Sequence, residues 1–331
     1  MNALFYTNPQ EMTYQPMSPQ KMLEGEVRVK VDAAGICGSD MHAYLGHDAR
    51  RVPPLVLGHE VAGTIIEGEG VGDRVVLNPL ITCKQCVQCK RGRTNLCENR
   101  TMIGMTRPGG MADEVVIPVS NIFRLSSDID PSHASLTEPA ACVWHAIDLI
   151  KRALSIPLIE CNVLVIGAGT IGLLAAKLFQ NFGASGIVIL EKNPIRRTTA
   201  ERYEVGDVLG SLTESTDQSF DIVFDAVGAA STRQISVESI RPGGVILHIG
   251  LQSNEGEVDT RKITLQEISF IGAYTYTETD FKAALAALEN RELGDLFWVE
   301  ERALADGNGA FADLNNGRVA AAKIVLVPEG S

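Results

Sequence analysis

Residues 162–191 place the tightest constraint on how this chain can fold. Asn162-Val163-Leu164-Val165-Ile166 is a short β-branched run, followed directly by Gly167-Ala168-Gly169-Thr170-Ile171-Gly172 and a helical stretch from about Thr170 to Phe182. Strand, glycine turn and helix in that order form the context of a dinucleotide-binding loop. The glycines permit a tight turn, close backbone approach to a pyrophosphate and close packing of helix on strand. The helix N-terminus adds free N–H groups and a positive dipole end. Glu191 lies nineteen residues after Gly172, at the end of the next strand. An acid there accepts hydrogen bonds from a ribose 2′-hydroxyl and repels a 2′-phosphate, which predicts NAD in preference to NADP. Lys192, Arg196 and Arg197 could meet a 2′-phosphate if Glu191 turned away; the plainer reading is a solvated helix start. Gly167, Gly169, Thr170, Ile171, Gly172, Glu191, Arg196, Val227 and Ile249 form the candidate cofactor-binding set.

The same alternation continues. Gly186–Leu190, Asp221–Asp225 and Gly244–Ile249 read as further strands separated by helical stretches, the pattern of a parallel sheet covered on both faces. Before residue 139 the texture differs. Glu26–Val31 alternates polar and apolar residues, and Val61–Ile66, Arg74–Leu77 and Asp113–Pro118 read as short strands punctuated by Gly and Pro. This first third predicts a small, irregular barrel or sandwich with long loops. Near the end come a helix, Asp280–Glu289, and a closing strand, Ala322–Val327. With 331 residues, two domains are expected.

Charge narrows the partners. Twenty-nine Lys and Arg against 41 Asp and Glu give a net charge of −12, which argues against nucleic acid or an anionic membrane surface as the main partner. No apolar run approaches the roughly 20 residues that span a bilayer. Met1–Gln20 has no basic stretch followed by an apolar one, so no secretory leader is expected.

Four of the seven cysteines fall within fifteen residues: Cys83, Cys86, Cys89 and Cys97. The spacing suits four thiolates around one structural Zn²⁺. Lys84, Lys90, Arg91 and Arg93 flank them and offset the net negative charge of such a centre. An iron–sulfur cluster or unmetallated thiols are the alternatives. An odd cysteine total disfavours a disulfide framework and points to a reducing, cytoplasmic setting.

A second set is scattered: Gly35-Ile36-Cys37-Gly38-Ser39-Asp40-Met41-His42 and, beyond it, Gly58-His59-Glu60. Thiolate, imidazole and carboxylate are all zinc ligands, and a catalytic zinc keeps one position open. Taken singly, Cys37 reads more readily as a small buried hydrophobe and His59 as a structural residue.

These pieces together resemble the zinc-dependent medium-chain dehydrogenases/reductases, most closely their polyol branch (sorbitol-, threonine- and galactitol-phosphate-dehydrogenase-like). The likeness includes Gly35–His42, Gly58-His59-Glu60-x-x-Gly63, Gly72-Asp73-Arg74-Val75, the four-cysteine loop, Gly109-Gly110-x-Ala112-Asp113-Glu114, Glu138-Pro139 and the glycine turn. The resemblance implies an α/β protein: a GroES-like β-rich catalytic domain from residues 1–139 and 275–331, and a Rossmann doubly wound parallel-sheet domain from 140–274. It implies two zinc ions per chain. Cys37 and His59 would then hold the catalytic zinc, with Glu60 or Glu138 completing the sphere. Ser39 would pass the substrate proton to His42 by way of the cofactor ribose. The implied reaction interconverts a secondary alcohol (a polyol, sugar alcohol or sugar derivative) and its ketone with NAD(H). A threonine-like amino alcohol or a simple alcohol is the alternative substrate, and a catalytically silent nucleotide-binding protein is the non-enzymatic one. A homodimer or homotetramer is implied.

This sequence departs from the family in places. Ala43 replaces an aromatic residue of sorbitol dehydrogenases, Thr275 stands where that group has arginine, and the segment from Gly63 to Gly72 is short. Arg50, Arg51 and Arg107 could meet an anionic substrate; solvated loop charges are the simpler expectation. Trp144 and His145 read as packing or interface residues.

Overall fold

Alternating burial shapes the first strands in the protein's computed structural model, which describes residues 1–214 and 219–330. The chain opens with a hairpin, β1 (Asn2–Asn8) and β2 (Glu11–Pro16), which the polar, Pro-containing N-terminus did not advertise. The ten-residue β3 (Glu26–Gly35) follows, with Val27, Val29 and Val31 fully buried along one face. Then come helix α1 (Gly38–Tyr44), β4 (Leu55–Val56), β5 (Glu60–Glu67) and β6 (Arg74–Leu77). The short pair β7 (Leu80–Ile81) and β8 (Thr101–Met102) brackets the cysteine loop and its one-turn helix α2 (Val87–Lys90). β9 (Glu114–Pro118), β10 (Ile122–Arg124) and α3 (Pro131–Ala134) lead into α4 (Thr137–Ala153).

The alternating half runs β11 (Asn162–Ile166), α5 (Thr170–Asn181), β12 (Gly186–Leu190), α6 (Pro194–Tyr203), β13 (Asp207–Leu209) and β14 (Phe220–Asp225). It finishes with α7 (Ala230–Ser239), β15 (Ile240–His248), α8 (Thr260–Leu265) and β16 (Ser269–Gly272). The last stretch supplies α9 (Glu278–Glu289), β17 (Val299–Ala303), α10 (Gly307–Asn315) and β18 (Lys323–Val327). Thr277 and Asp280 cap α9 reciprocally, the Thr277 N–H and hydroxyl both donating to the Asp280 carboxylate at 2.9 and 2.7 Å.

The described residues form two compact units. One contains Met1–Pro139, Thr277–Arg318 and residues 323–330; the other contains the described part of Ala140–Tyr276 and Val319–Ala322. In the first, β3 is the organising strand. It pairs antiparallel with β5, β9 and β18, so a strand from the far C-terminus is stitched beside the N-terminal half. In the second, six parallel strands lie in the order β13-β12-β11-β14-β15-β16. That is the 3-2-1-4-5-6 order of a doubly wound dinucleotide-binding sheet, the α/β architecture expected. Its core includes Leu164, Ile166, Val223 and Ile246. The segment Val319–Ala322 belongs to this unit, with the Thr199 hydroxyl donating to the Ala320 carbonyl at 2.8 Å.

Candidate functional site

The two scattered pieces meet where β3 ends and β5 begins. Gly35 and Glu60 are register partners across β3 and β5, and a Cβ on Gly35 would lie 2.0 Å from Glu60 Oε2. Glycine at 35 therefore makes room for a buried carboxylate. Cys37 caps α1, and Asp40 reaches back to accept the Cys37 N–H at 3.1 Å. One ligand atom each from Cys37, His59 and Glu60 lies within 4.8 Å of the others. Ser39 and His42 sit three residues apart in α1, on one face of the helix.

The polar groups here fit a metal. Glu60 is fully buried, and while one of its oxygens is paired, its Oε1 has no hydrogen-bond partner among the described residues, leaving a buried oxygen that a metal ion would satisfy. His59 turns Nδ1 toward Asp40 Oδ1 at 3.4 Å, the orientation by which a second-sphere carboxylate fixes a ligating imidazole. Burial alone would push the His59 imidazole down, but Asp40 and the Cys37 sulfur raise it well above its ordinary value. Burial likewise opposes the Asp40 charge, and His59 and Arg51 outweigh it to hold the carboxyl low. Glu138 is buried in the first turn of α4 and is not among the three converging groups.

Two buried cations frame this set: Lys323, which sequence reasoning missed, and Arg51, which it read as a solvated loop charge. Lys323, at the start of β18, places Nζ 2.5 Å from Glu60 Oε2 and 2.9 Å from the Ile36 carbonyl. Arg51 donates to Asp48 Oδ2 at 2.7 Å, the Gly104 carbonyl at 3.1 Å and Ser39 Oγ at 3.2 Å. Arg51 is therefore no solvated loop charge: it is 2% exposed and fully engaged. The other two arginines considered for an anion are also committed. Arg50 pairs with Asp48, and Arg107 with Glu26 at 2.7 Å.

The four-cysteine loop closes on itself. The sulfurs of Cys83, Cys86, Cys89 and Cys97 lie within 4.8 Å of one another. Backbone N–H groups of Cys83 and Cys86 point at Cys97 and Cys83 Sγ at 3.3 and 3.4 Å. Such donors pull the Cys83 thiol down to about 6, whereas burial and neighbouring thiols push Cys89 up to about 12. Four thiols this close ionise together only around a cation.

In the second unit the glycine turn joins β11 to α5 at the point where the strand order reverses. A Cβ on Gly172 would lie 1.8 Å from the Gly167 carbonyl, so the helix packs on the turn only with glycine there. A Cβ on Gly169 would meet nothing within 4 Å, leaving a cradle at the N-terminus of α5. Glu191 accepts from the Ala168 and Asn193 N–H groups at 2.9 and 2.8 Å, which fixes its carboxylate beside the turn. Val227 abuts Gly167, and Ile249 follows β15, its N–H bonded to the Asp225 carbonyl at 3.1 Å. The Thr170 hydroxyl is committed to the Ala322 carbonyl at 2.7 Å. Arg197 is committed as well, to the carbonyls of Glu191 and Lys192, whereas Arg196 Nε is buried without a partner among the described residues. Trp144 packs edge-on against Phe182, a packing role in keeping with its sequence reading.

Comparison with known proteins gives these centres a family. Residues 23–127 match the alcohol dehydrogenase GroES-like domain, and residues 170–290 match the zinc-binding dehydrogenase domain. L-galactonate-5-dehydrogenase of Escherichia coli K12 is 33% identical over 301 residues, covering 85% of this chain and 85% of that one. The chain belongs to the zinc-binding dehydrogenase family. D-arabinitol dehydrogenase 1 of Uromyces fabae is 31% identical, covering 88% of this chain and 87% of its own. A structure assigned as a zinc-binding dehydrogenase of Sinorhizobium meliloti 1021, bound to NADP, superposes with a TM-score of 0.87 at 26% identity, covering 99% of each chain. The protein is thus a GroES-like plus Rossmann oxidoreductase of CH–OH groups, in a family that uses zinc and a nicotinamide cofactor.

Proposed function

We propose that the protein oxidises a secondary alcohol of a polyol, sugar alcohol or sugar derivative to the ketone, reversibly and with NAD. The observation that carries this reading is the convergence of Cys37, His59 and Glu60 beside Ser39 and His42. Cys37, His59 and Glu60 would hold the catalytic zinc, with Glu138 as the alternative to Glu60. A zinc ion bound there supplies Lewis acidity that lowers the pKa of a hydroxyl. The nicotinamide supplies the hydride acceptor.

The chain's own residues handle the proton. Ser39 Oγ accepts it from the substrate hydroxyl and releases its own, and His42 accepts it in turn. Burial, with His47 and the Arg51 and Arg50 cations, lowers the His42 pKa against the pull of Asp48. The imidazole is therefore neutral and able to accept at physiological pH. The relatives named for L-galactonate and D-arabinitol support a polyhydroxylated substrate. The test is NAD⁺ reduction across D-arabinitol, sorbitol, L-galactonate, L-threonine and 2-butanol. Turnover of a polyol or sugar acid is expected. Preference for L-threonine or 2-butanol would refute the polyol assignment, and no turnover of any member in zinc-loaded protein would refute the reaction.

The NAD preference rests on the fixed Glu191 carboxylate, although the superposed relative binds NADP. Glu191→Ala is expected to reduce kcat/KM for NAD⁺ by about 10- to 100-fold, the worth of a hydrogen bond to a charged group. The same change should narrow the ratio between NAD⁺ and NADP⁺. An unchanged ratio in steady-state kinetics would contradict this cofactor choice.

Cys83, Cys86, Cys89 and Cys97 would hold the second, structural zinc, a closed set with no open position. Cys86→Ser is expected to release one zinc per chain, shorten the protein's lifetime on heating and leave kcat at 25 °C within about threefold. Metal analysis alongside kinetics checks both halves. A homodimer or homotetramer is proposed. The edge of β16, unpaired among the described residues, with the exposed Phe270 in it and Leu265 before it, supports self-association. No described helix is long and apolar enough to cross a membrane. The closely grouped free thiols suit a reducing cytoplasm.

A further inference from the structure

Arg51 is a buried cation whose part so far is only the field it casts on His42 and Asp40. Its side chain is 1% exposed, so it cannot greet a substrate anion. Nor is it a generic strut. Of its three hydrogen bonds, two anchor the guanidinium, at Asp48 Oδ2 (2.7 Å) and the Gly104 carbonyl (3.1 Å). Asp48 is itself clamped by both Arg50 Nε and Nη2, at 2.8 and 2.9 Å. The third bond, from Nη2, ends on Ser39 Oγ at 3.2 Å, with Asp40 Oδ1 at 3.9 Å from the same nitrogen.

We propose that Arg51 is the positioning residue of the proton relay, fixing Ser39 so that its hydroxyl has one way to accept a proton and one way to give one. The inference rests on the relay role assigned to Ser39 above. A hydroxyl offers one O–H and two lone pairs, and a guanidinium never surrenders its protons in a protein. Arg51 therefore occupies one Ser39 lone pair permanently. What remains is one lone pair for the substrate hydroxyl and one O–H for the onward acceptor. The proton count balances: Ser39 gains the substrate proton as its own leaves toward His42, and Arg51 contributes none. The same bond removes the choice among staggered Ser39 rotamers that a half-buried serine would otherwise have. Because the guanidinium is pinned at two other points, the hydroxyl is oriented before substrate arrives.

The test combines Arg51→Lys, Arg51→Gln and Ser39→Ala, using the panel alcohol that turns over fastest with NAD⁺. Lysine keeps the charge but loses the fork that reaches Asp48, Gly104 and Ser39 together. Ser39→Ala should lower kcat about 100-fold, and each Arg51 variant about 10-fold with KM within about threefold. The solvent deuterium isotope effect on kcat should rise in the Arg51 variants. In the Ser39→Ala background an Arg51 substitution should change kcat by less than about twofold, because its target is gone. Crystals of Arg51→Lys should show Ser39 in more than one rotamer, a readout independent of turnover.

Three results overturn the proposal: wild-type kcat in the Arg51 variants, losses that multiply fully with Ser39→Ala, or both Arg51 variants failing to fold, which makes the residue a structural strut. Wild-type kcat in Ser39→Ala instead defeats the relay assignment itself, so the two failures are distinguishable.

Discussion

Replacing Cys37 with serine is expected to abolish turnover while leaving the fold intact. Cys37 contributes one of three converging ligand atoms, and its backbone, not its sulfur, caps α1 through Asp40. The cap survives the change to serine, itself a good N-cap residue. What is lost is the thiolate, and with it the Lewis acid that the site would hold. That contribution is worth several kcal/mol of transition-state stabilisation, so kcat/KM should fall by at least about 10³-fold. Zinc content should fall from about two ions per chain to one, because the Cys83–Cys97 centre is built from separate residues. Circular dichroism should match that of the parent. A variant with full activity and one zinc fewer would refute the assignment of Cys37, and a variant that keeps both ions would refute the ligand set.

The nucleotide half was legible because its signals are local. β11 and β12 begin and end where β-branched runs predict, and Glu191 follows β12 directly. A parallel sheet buries both faces, so its strands read as continuous apolar runs that need no partner to be recognised. The convergence of the four cysteines was equally legible, since one loop contains all of them. The other converging set was harder. Cys37 and His59 are 22 residues apart, and only the pairing of β3 with β5 joins them. Their chemistry was carried by family resemblance, not by spacing. The N-terminal hairpin escaped because β2 is polar and largely exposed, held in place by pairing with β1. Arg51 reads as a loop charge beside Arg50, and nothing local separates them, yet one is buried and the other exposed. Lys323 lies 263 residues from Glu60, so its partner exists only after β18 docks beside β3. Long-range buried ion pairs leave no periodicity to read.

That last pair carries the largest stability effect expected here. Lys323 is 3% exposed and Glu60 fully buried, with 2.5 Å between Nζ and Oε2. Removing one member of a buried pair strands the other charge in a low-dielectric interior, at about 3–5 kcal/mol. Lys323→Met should therefore lower the melting temperature by about 10 °C, taking roughly 2–4 °C per kcal/mol. The effect should be greatest after zinc is stripped, when no metal shares the Glu60 charge. Burial disfavours the Lys323 ammonium, but Glu60 and Cys37 outweigh it and raise its pKa above 10.5. A raised lysine stabilises the fold fully below its unfolded pKa, and the contribution is lost as pH rises through the folded value. The melting difference between parent and variant should accordingly be flat across neutral pH and shrink only in strong alkali. Adding Glu60→Gln to Lys323→Met removes the stranded charge, so the double variant should melt several degrees above Lys323→Met alone. Calorimetry of the four proteins decides the point: additive losses would mean that the two side chains act separately and that the C-terminal strand supplies packing, not charge, to the metal site.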